Sequence, residues 1–182
     1  MIYLMLITIF LPILAAPAVY FIGKKNNRVL HGTAIAVCFC TLCLSILPFL
    51  LRWTGDTADC NLLGLHFTAG GLGGLYSVIT ALLWTLAAMF APRYFQGKIS
   101  TPRYIFFFLI TLGATAGVFL AADLMTLFLF FEVMSLASCA WVAHEETKKA
   151  LEATKTYLTI SVTGGLVLLM GLFLLYHQTG TL

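Results

Sequence analysis

Glu132 is the residue of this chain whose chemistry and position disagree most. It lies inside the apolar run Asp123-Leu-Met-Thr-Leu-Phe-Leu-Phe-Phe-Glu132-Val-Met-Ser-Leu-Ala-Ser-Cys-Ala-Trp-Val142, farther from a polar loop than any other charged side chain. An acid at the centre of a membrane helix costs about 2.5–3.5 kcal/mol on insertion scales, and it persists only if neutralised, paired or wetted. Desolvation favours the neutral acid, whereas a nearby ammonium favours the carboxylate. A group pulled both ways can load and release a proton, so proton or ion transfer is the chemistry to expect. The plainer role is a neutral, hydrogen-bonded acid that holds helices together. Ser135 and Cys139 follow at i+3 and i+7 on the same helical face, with Ser138 close by. They either line a wetted path beside the acid or simply pack.

Two further charges are candidates. Lys155, in Ala153-Thr-Lys-Thr-Tyr157, is suited to snorkelling to the membrane surface or pairing with Glu152. That is the better-supported role on sequence; the functional alternative makes it the first basic step of a proton path toward Glu132. Asp123 precedes the run and reads as a helix cap, where a carboxylate meets free backbone N–H groups and the positive end of the helix dipole. His31, His66, His144 and His177 fall at span edges or in a loop and read as solvated. Cys38, Cys40 and Cys43 form Cys-Phe-Cys-Thr-Leu-Cys, which lacks the paired spacing of a zinc site and reads as packing. No nucleotide loop, haem attachment, iron–sulfur run or nucleophile–base pair is present. The expectation is therefore no metal, no cofactor and no redox chemistry in this chain, and no nucleic-acid partner.

The elements that hold these residues are membrane helices. Of 182 residues, 61% are hydrophobic and 9% charged, against about 25% charged in soluble domains. The apolar runs are too long and too continuous for a membrane barrel. Six spans are expected in one transmembrane domain over 1–182: Ile2–Ile22, His31–Leu51, Leu72–Ala91, Tyr104–Ala121, Leu124–Ala143 and Thr156–Tyr176. Glu132 is nine residues beyond Asp123, so it sits about 13 Å into a core about 30 Å thick. Nine of the ten basic residues fall in odd-numbered loops: Lys24, Lys25, Arg28, Arg93, Lys98, Arg103, Lys148, Lys149 and Lys155. Arg52 alone is in an even loop, with Asp56 and Asp59. The positive-inside rule makes the odd loops cytoplasmic and puts both termini outside. Trp53, Trp84 and Trp141, with Tyr94, Tyr104 and Tyr176, read mostly as interface markers. The second loop, from Arg52 to Gly71, reads as irregular. The fifth, from His144 to Lys155, reads as helix, with Glu145–Lys149 and Lys148–Glu152 spaced for i,i+4 pairs. Gly113-Ala-Thr-Ala-Gly117 offers a small-xxx-small packing face.

Asp123 through Ser135, Ala153-Thr-Lys155-Thr-Tyr157, Gly164-Gly165 and Leu175-Tyr-His-Gln-Thr-Gly180 resemble the antiporter-like proton-pumping subunits of respiratory complex I, Mrp-type Na+/H+ antiporters and membrane-bound hydrogenases. The match is close from Tyr104 to Leu182 and looser before it. The resemblance implies that Glu132 is the family's fifth-helix glutamate and Lys155 the basic residue opening the sixth. In the family, such charges form a hydrated axis along the membrane midplane, and protons move as pairs are made and broken. Gly70-Gly71-Leu72 stands where family members often carry Asp-Gly-Leu. Family subunits have about fourteen helices in two inverted repeats, whereas six are read here. The resemblance therefore implies the N-terminal portion of that fold, as a fragment or as one part of a split subunit. The remaining helices, including the lysine that partners the glutamate, would come from a separate chain of the complex.

These readings converge on a multi-pass protein of the lipid bilayer, in a prokaryotic inner or plasma membrane. The expected role is H+ or Na+/H+ translocation within a multi-subunit complex. The alternative is a non-pumping structural or assembly subunit, or an inactive fragment, of the same family. Any oxidoreductase activity would belong to the complex.

Overall fold

The computed structural model describes residues 2–54, 58–69, 71–95 and 101–181. Asp56, Gly70 and Lys98 lie outside the described residues. The architecture is an all-α integral membrane bundle with one small hairpin: α1 (Ile2–Lys25), α2 (Asn27–Thr54), β1 (Ala58–Leu62), β2 (Leu65–Ala69), α3 (Gly71–Tyr94), α4 (Thr101–Leu120), α5 (Leu124–Val142) and α6 (Lys148–Thr179). All six helices are long and apolar enough to cross a bilayer. Most run a few residues beyond the apolar stretches, because helical hydrogen bonding continues into the polar interface where hydropathy fades. α6 is the extreme case. Its 32 residues span about 48 Å, against a core of about 30 Å, so its Lys-rich first turns project beyond the hydrocarbon.

α4 is the central helix: 61% of its membrane window is buried, against 11% for α6 at the periphery. Small residues allow this. A Cβ on Gly113 would strike Ile13 and, at 2.5 Å, the carbonyl oxygen of Ile9, so α1 rests directly on the α4 backbone. A Cβ on Gly117 would enter the Phe130 ring of α5. The small-residue face thus serves two neighbours, one at each glycine. In lipid, where apolar burial between helices gains little, close backbone packing is the main source of association. Trp84 ties α3 to α4 by donating its indole N–H to the carbonyl of Phe108 at 3.1 Å.

The second loop is a β-hairpin rather than irregular coil. Cys60 pairs with Phe67 and Leu62 with Leu65, alternating with Asp59–Thr68 and Asn61–His66. The first set packs on a cluster with Met5, Leu120 and Phe130, while Asp59, Asn61 and His66 are exposed. This is the period-two pattern of a half-buried strand pair. Leu63 and Gly64 both adopt positive φ, 54° and 85°, as a tight two-residue hairpin turn requires. The fifth loop also departs from expectation. It is helical only from Lys148, because Glu146 takes a left-handed φ of 52° and Thr147 caps α6 by accepting from the Ala150 N–H at 3.1 Å. Glu145 therefore lies outside the helix, and the expected i,i+4 ion pairs do not form among the described residues. Glu146 instead meets Arg103 of α4 at 2.7 Å. Both partners are substantially exposed, so this pair contributes at most about 1 kcal/mol. Trp84 and Trp141 are not isolated interface markers. They pack in tilted contacts with each other and Phe108, with ring centroids 6.0–6.2 Å apart, in a cluster between α3, α4 and α5.

Candidate functional site

The site is built where α5 and α6 run antiparallel after the turn at 143–147. Asp123 sets the start of α5. Its Oδ1 accepts from the Thr126 N–H at 2.6 Å and its Oδ2 from the Thr126 hydroxyl at 2.9 Å. The Thr126 oxygen in turn accepts from the His66 N–H at 2.9 Å, and Ala122 N–H donates to the His66 carbonyl at 2.8 Å. The hairpin and the α5 cap form one unit, which holds the helix at a defined height. Glu132 is the ninth of the 19 residues of α5, and therefore at its middle.

Glu132 is half-buried. Its carboxyl group lies against the backbone of α6 at Gly165. A Cβ there would collide with Glu132 Oε1 and lie 2.8 Å from Cδ and 3.0 Å from Oε2. Gly165 is buried and leaves open the space that the acid occupies. Oε1 is enclosed and has no hydrogen-bond partner among the described residues. A buried oxygen of this kind carries the full cost of desolvation, which a proton or an approaching cation would relieve.

Below the acid, toward the 143–147 turn, the two helices are joined by hydroxyls. One turn from Glu132, Ser135 hydrogen-bonds to Ser161. One turn further, Ser138 pairs with the Tyr157 hydroxyl at 2.6 Å and donates to the Ser135 carbonyl at 2.8 Å. Tyr157 Oη is also 3.5 Å from that carbonyl. Ser135 is buried, while Ser138, Tyr157 and Ser161 are half-buried. The three contacts 132–165, 135–161 and 138–157 run antiparallel, stepping three residues on α5 and four on α6, and form a single polar seam.

Of the five residues singled out from sequence, Glu132, Ser135 and Ser138 fall on this seam and Asp123 fixes its helix. Lys155 does not reach Glu132. It is exposed and ten residues before Gly165, about 15 Å lower along α6, and it forms no ion pair among the described residues. Tyr157 and Gly165 entered the sequence reading only within the motifs that carry the resemblance, and Ser161 did not enter it. Their signal was the spacing: they recur every four residues, along one helical face. No cluster of His, Cys, Asp and Glu able to hold a metal occurs among the described residues.

A family profile described as "NADH:quinone oxidoreductase/Mrp antiporter, TM" matches residues 121–182, which contain α5, α6 and the whole seam. The chain is 30% identical over 181 residues to a Na(+)/H(+) antiporter protein of Alkalihalophilus pseudofirmus, covering 93% of this chain and 22% of that protein. Its fold superimposes on a chain of the membrane-bound sulfane sulfur reductase, an archaeal respiratory membrane complex. There the TM-score is 0.85 at 20% identity, covering 97% of this chain and 38% of that one. A chain of the Mrp complex from Dietzia sp. gives a TM-score of 0.79 at 19% identity, covering 97% and 20%. This chain thus spans less than two fifths of the length of each.

The seam geometry is open to direct test. Oxidation of the double variant Ser135→Cys/Ser161→Cys is expected to give an intrachain disulfide, read as a mobility shift on a non-reducing gel or by mass spectrometry of the peptide pair. Ser135→Cys/Lys155→Cys, whose second position is nearly two turns away along α6, is expected to stay unlinked. The reverse pattern would place the helices in another register.

Proposed function

We propose that this chain, which belongs to the family of antiporter-like membrane subunits found in Mrp and complex I-like assemblies, takes part in proton translocation with Glu132 as the proton-carrying group. The observation that carries this reading is the unpartnered, enclosed Glu132 Oε1 at the middle of α5. A carboxyl kept for packing alone would be expected to satisfy both oxygens, since an orphaned acceptor in a low-dielectric site is costly. An unpartnered oxygen enclosed at mid-membrane is instead relieved by a proton, or by the ammonium of a lysine brought against it.

The partner cation is assigned to another segment of the assembly, because Lys155 lies about 15 Å away along α6. Lys155 then lies exposed at the surface end of the seam. The proton is favoured over Na+ as the species handled at Glu132. A single carboxyl oxygen beside two serines offers far fewer oxygen ligands than a hard cation prefers, whereas one oxygen suffices for a proton. Sodium exchange, named for the Alkalihalophilus relative, would need ligands from elsewhere in the complex.

The charge pattern supports one direction. Odd loops carry nine of the ten basic residues, and Arg103–Glu146 joins the third and fifth loops at one end of the bundle. The hairpin and the α4–α5 turn meet at the other. The basic end is assigned to the cytoplasm and both termini to the outside, in a prokaryotic plasma membrane. In right-side-out vesicles, a membrane-impermeant maleimide is expected to label Leu63→Cys at the hairpin tip and to leave Lys149→Cys untouched until the vesicles are opened. The opposite pattern would invert the topology.

Glu132→Gln keeps the shape and removes the exchangeable acid. In membranes containing the assembled complex, it is expected to lower proton translocation on the order of a hundredfold while assembly is preserved. Undiminished translocation with normal assembly would favour the structural-subunit reading, in which Glu132 only fills the space over Gly165.

A further inference from the structure

The turn between α1 and α2 carries positive charge with no acid near it in sequence. Lys24, Lys25 and Arg28 fall within five residues, and no Asp or Glu occurs before Asp56. The fifth loop differs. Lys148 and Lys149 lie between Glu145–Glu146 and Glu152, and Glu146 meets Arg103 at 2.7 Å. Cations held in one turn repel one another unless an anion comes between them. The Lys24 ammonium has a defined seat, 4.9 Å from the centroid of the Tyr20 ring. A ring face engages one side of an ammonium and leaves N–H donors on the other. Asn26, between the two helices, accepts the Arg28 backbone N–H on its Oδ1 at 3.0 Å, which keeps its amide –NH2 group as a donor. Lys24, Asn26 and Arg28 are all exposed. Ammonium, amide and guanidinium donors together suit a phosphate.

Asn26 is also one wall of an apolar groove. Phe21 and Ile22 of α1 and Val29 of α2 form the rest of its lining, around a volume of about 630 Å³, within the range of about 300–1,000 Å³ for ligand clefts. Phe21, Ile22 and Val29 are 68%, 41% and 44% exposed. Phe21 packs on Tyr20 with ring centroids 5.7 Å apart, and Tyr20 packs on Phe106 of α4 at 5.8 Å. The aromatic wall of the groove and the seat of Lys24 are therefore one structure, braced against the central helix. Along α1 the apolar wall at Phe21 and Ile22 comes first and the cations follow at the turn. Along α2 Asn26 precedes the helix and Val29 lies inside it. Both helices thus place apolar surface on the membrane side and donors on the polar side.

That is the order of groups in a phospholipid. A soluble anion would satisfy the cations and leave the groove empty. An apolar helix would fill the groove and leave the cations unbalanced. A lipid with a negative headgroup does both. We propose that the α1–α2 turn is a binding site for an anionic phospholipid, with its phosphate held by Lys24, Asn26 and Arg28 and an acyl chain lying against Phe21, Ile22 and Val29. Clustered basic residues at the ends of membrane helices attract anionic headgroups on this electrostatic ground. The site shares no residue with the α5–α6 seam, so it stands or falls independently of Glu132.

The test uses the assembled complex in phosphatidylcholine vesicles that carry a trace of photoreactive lipid. The probe is phosphatidylglycerol or phosphatidylcholine with a diazirine on one acyl chain, and labelled residues are located by peptide mass spectrometry. Segment 21–29 is expected to take label from the glycerol lipid at least about tenfold more than from the choline lipid, and Lys24→Gln and Arg28→Gln are each expected to shrink that preference about fivefold. High salt is expected to shrink it in the unaltered complex, through screening. Lys148→Gln/Lys149→Gln removes two cations from another odd-numbered loop and is expected to leave it unchanged. Assembly is checked by native gel, and the salt comparison needs no variant to assemble. Equal labelling by the two lipids would overturn the site and leave ordinary boundary lipid. So would a preference undiminished by salt, or an equal loss in Lys148→Gln/Lys149→Gln, which would reveal a general surface potential. Labelling of this segment by neither lipid would also overturn it, and would show the groove covered by another subunit.

Discussion

A carboxyl group at the middle of a membrane must be enclosed by something, and in this protein the enclosure is the contact between Glu132 and the bare backbone of Gly165. Most of the site's geometry follows from that contact. Two helices can trap an acid between them only if one offers a gap of side-chain size at the right level, and only glycine provides it. The level is set from the other direction. Asp123 caps α5 nine residues earlier, and the hairpin locks that cap through His66 and Thr126. A shift of α5 by one residue would turn Glu132 about 100° around the helix and away from Gly165.

The scaffold behind the seam is more deeply buried than the seam itself. α4 is gripped by α1 at Gly113 and by Phe130 at Gly117, and it is the most deeply buried of the six helices. α6 is nearly bare by comparison. The acid thus sits between a firmly held helix, α5, and one whose outer surface has few neighbours within this chain. That asymmetry suits a site whose charge state is coupled to contacts made by the rest of a larger assembly, since α6 is the helix on which such contacts would act.

The membrane helices were legible because hydropathy and length are strong local signals, and Glu132 because a charge in hydrocarbon has few explanations. Asp123 was legible because a cap is a local event between residues three apart. The hairpin was missed although its alternation was present. Cys60, Leu62, Leu65 and Phe67 sit among polar residues in a loop, and only their packing against Leu120 and Phe130 gives the alternation meaning. In the fifth loop, the good helix-forming propensity of Glu and Lys was outweighed by the Thr147 cap and the left-handed Glu146. The seam was half legible. Ser135 and Ser138 could be placed on the face of Glu132, but Tyr157, Ser161 and Gly165 acquire significance only once the facing sides of α5 and α6 are known. That is a tertiary fact, and the i+4 spacing on α6 does not by itself select a partner helix.

The central claim is that Glu132 changes its protonation state as the complex works. The most direct measurement is infrared difference spectroscopy of the assembled complex, comparing resting and energised membranes, with bands assigned by their loss in Glu132→Gln. The account predicts a protonated-carboxyl C=O stretch that rises or falls with energisation and is absent from the variant. A Glu132 band that is identical in the two states would contradict it, and would leave the residue as a fixed wedge between two helices.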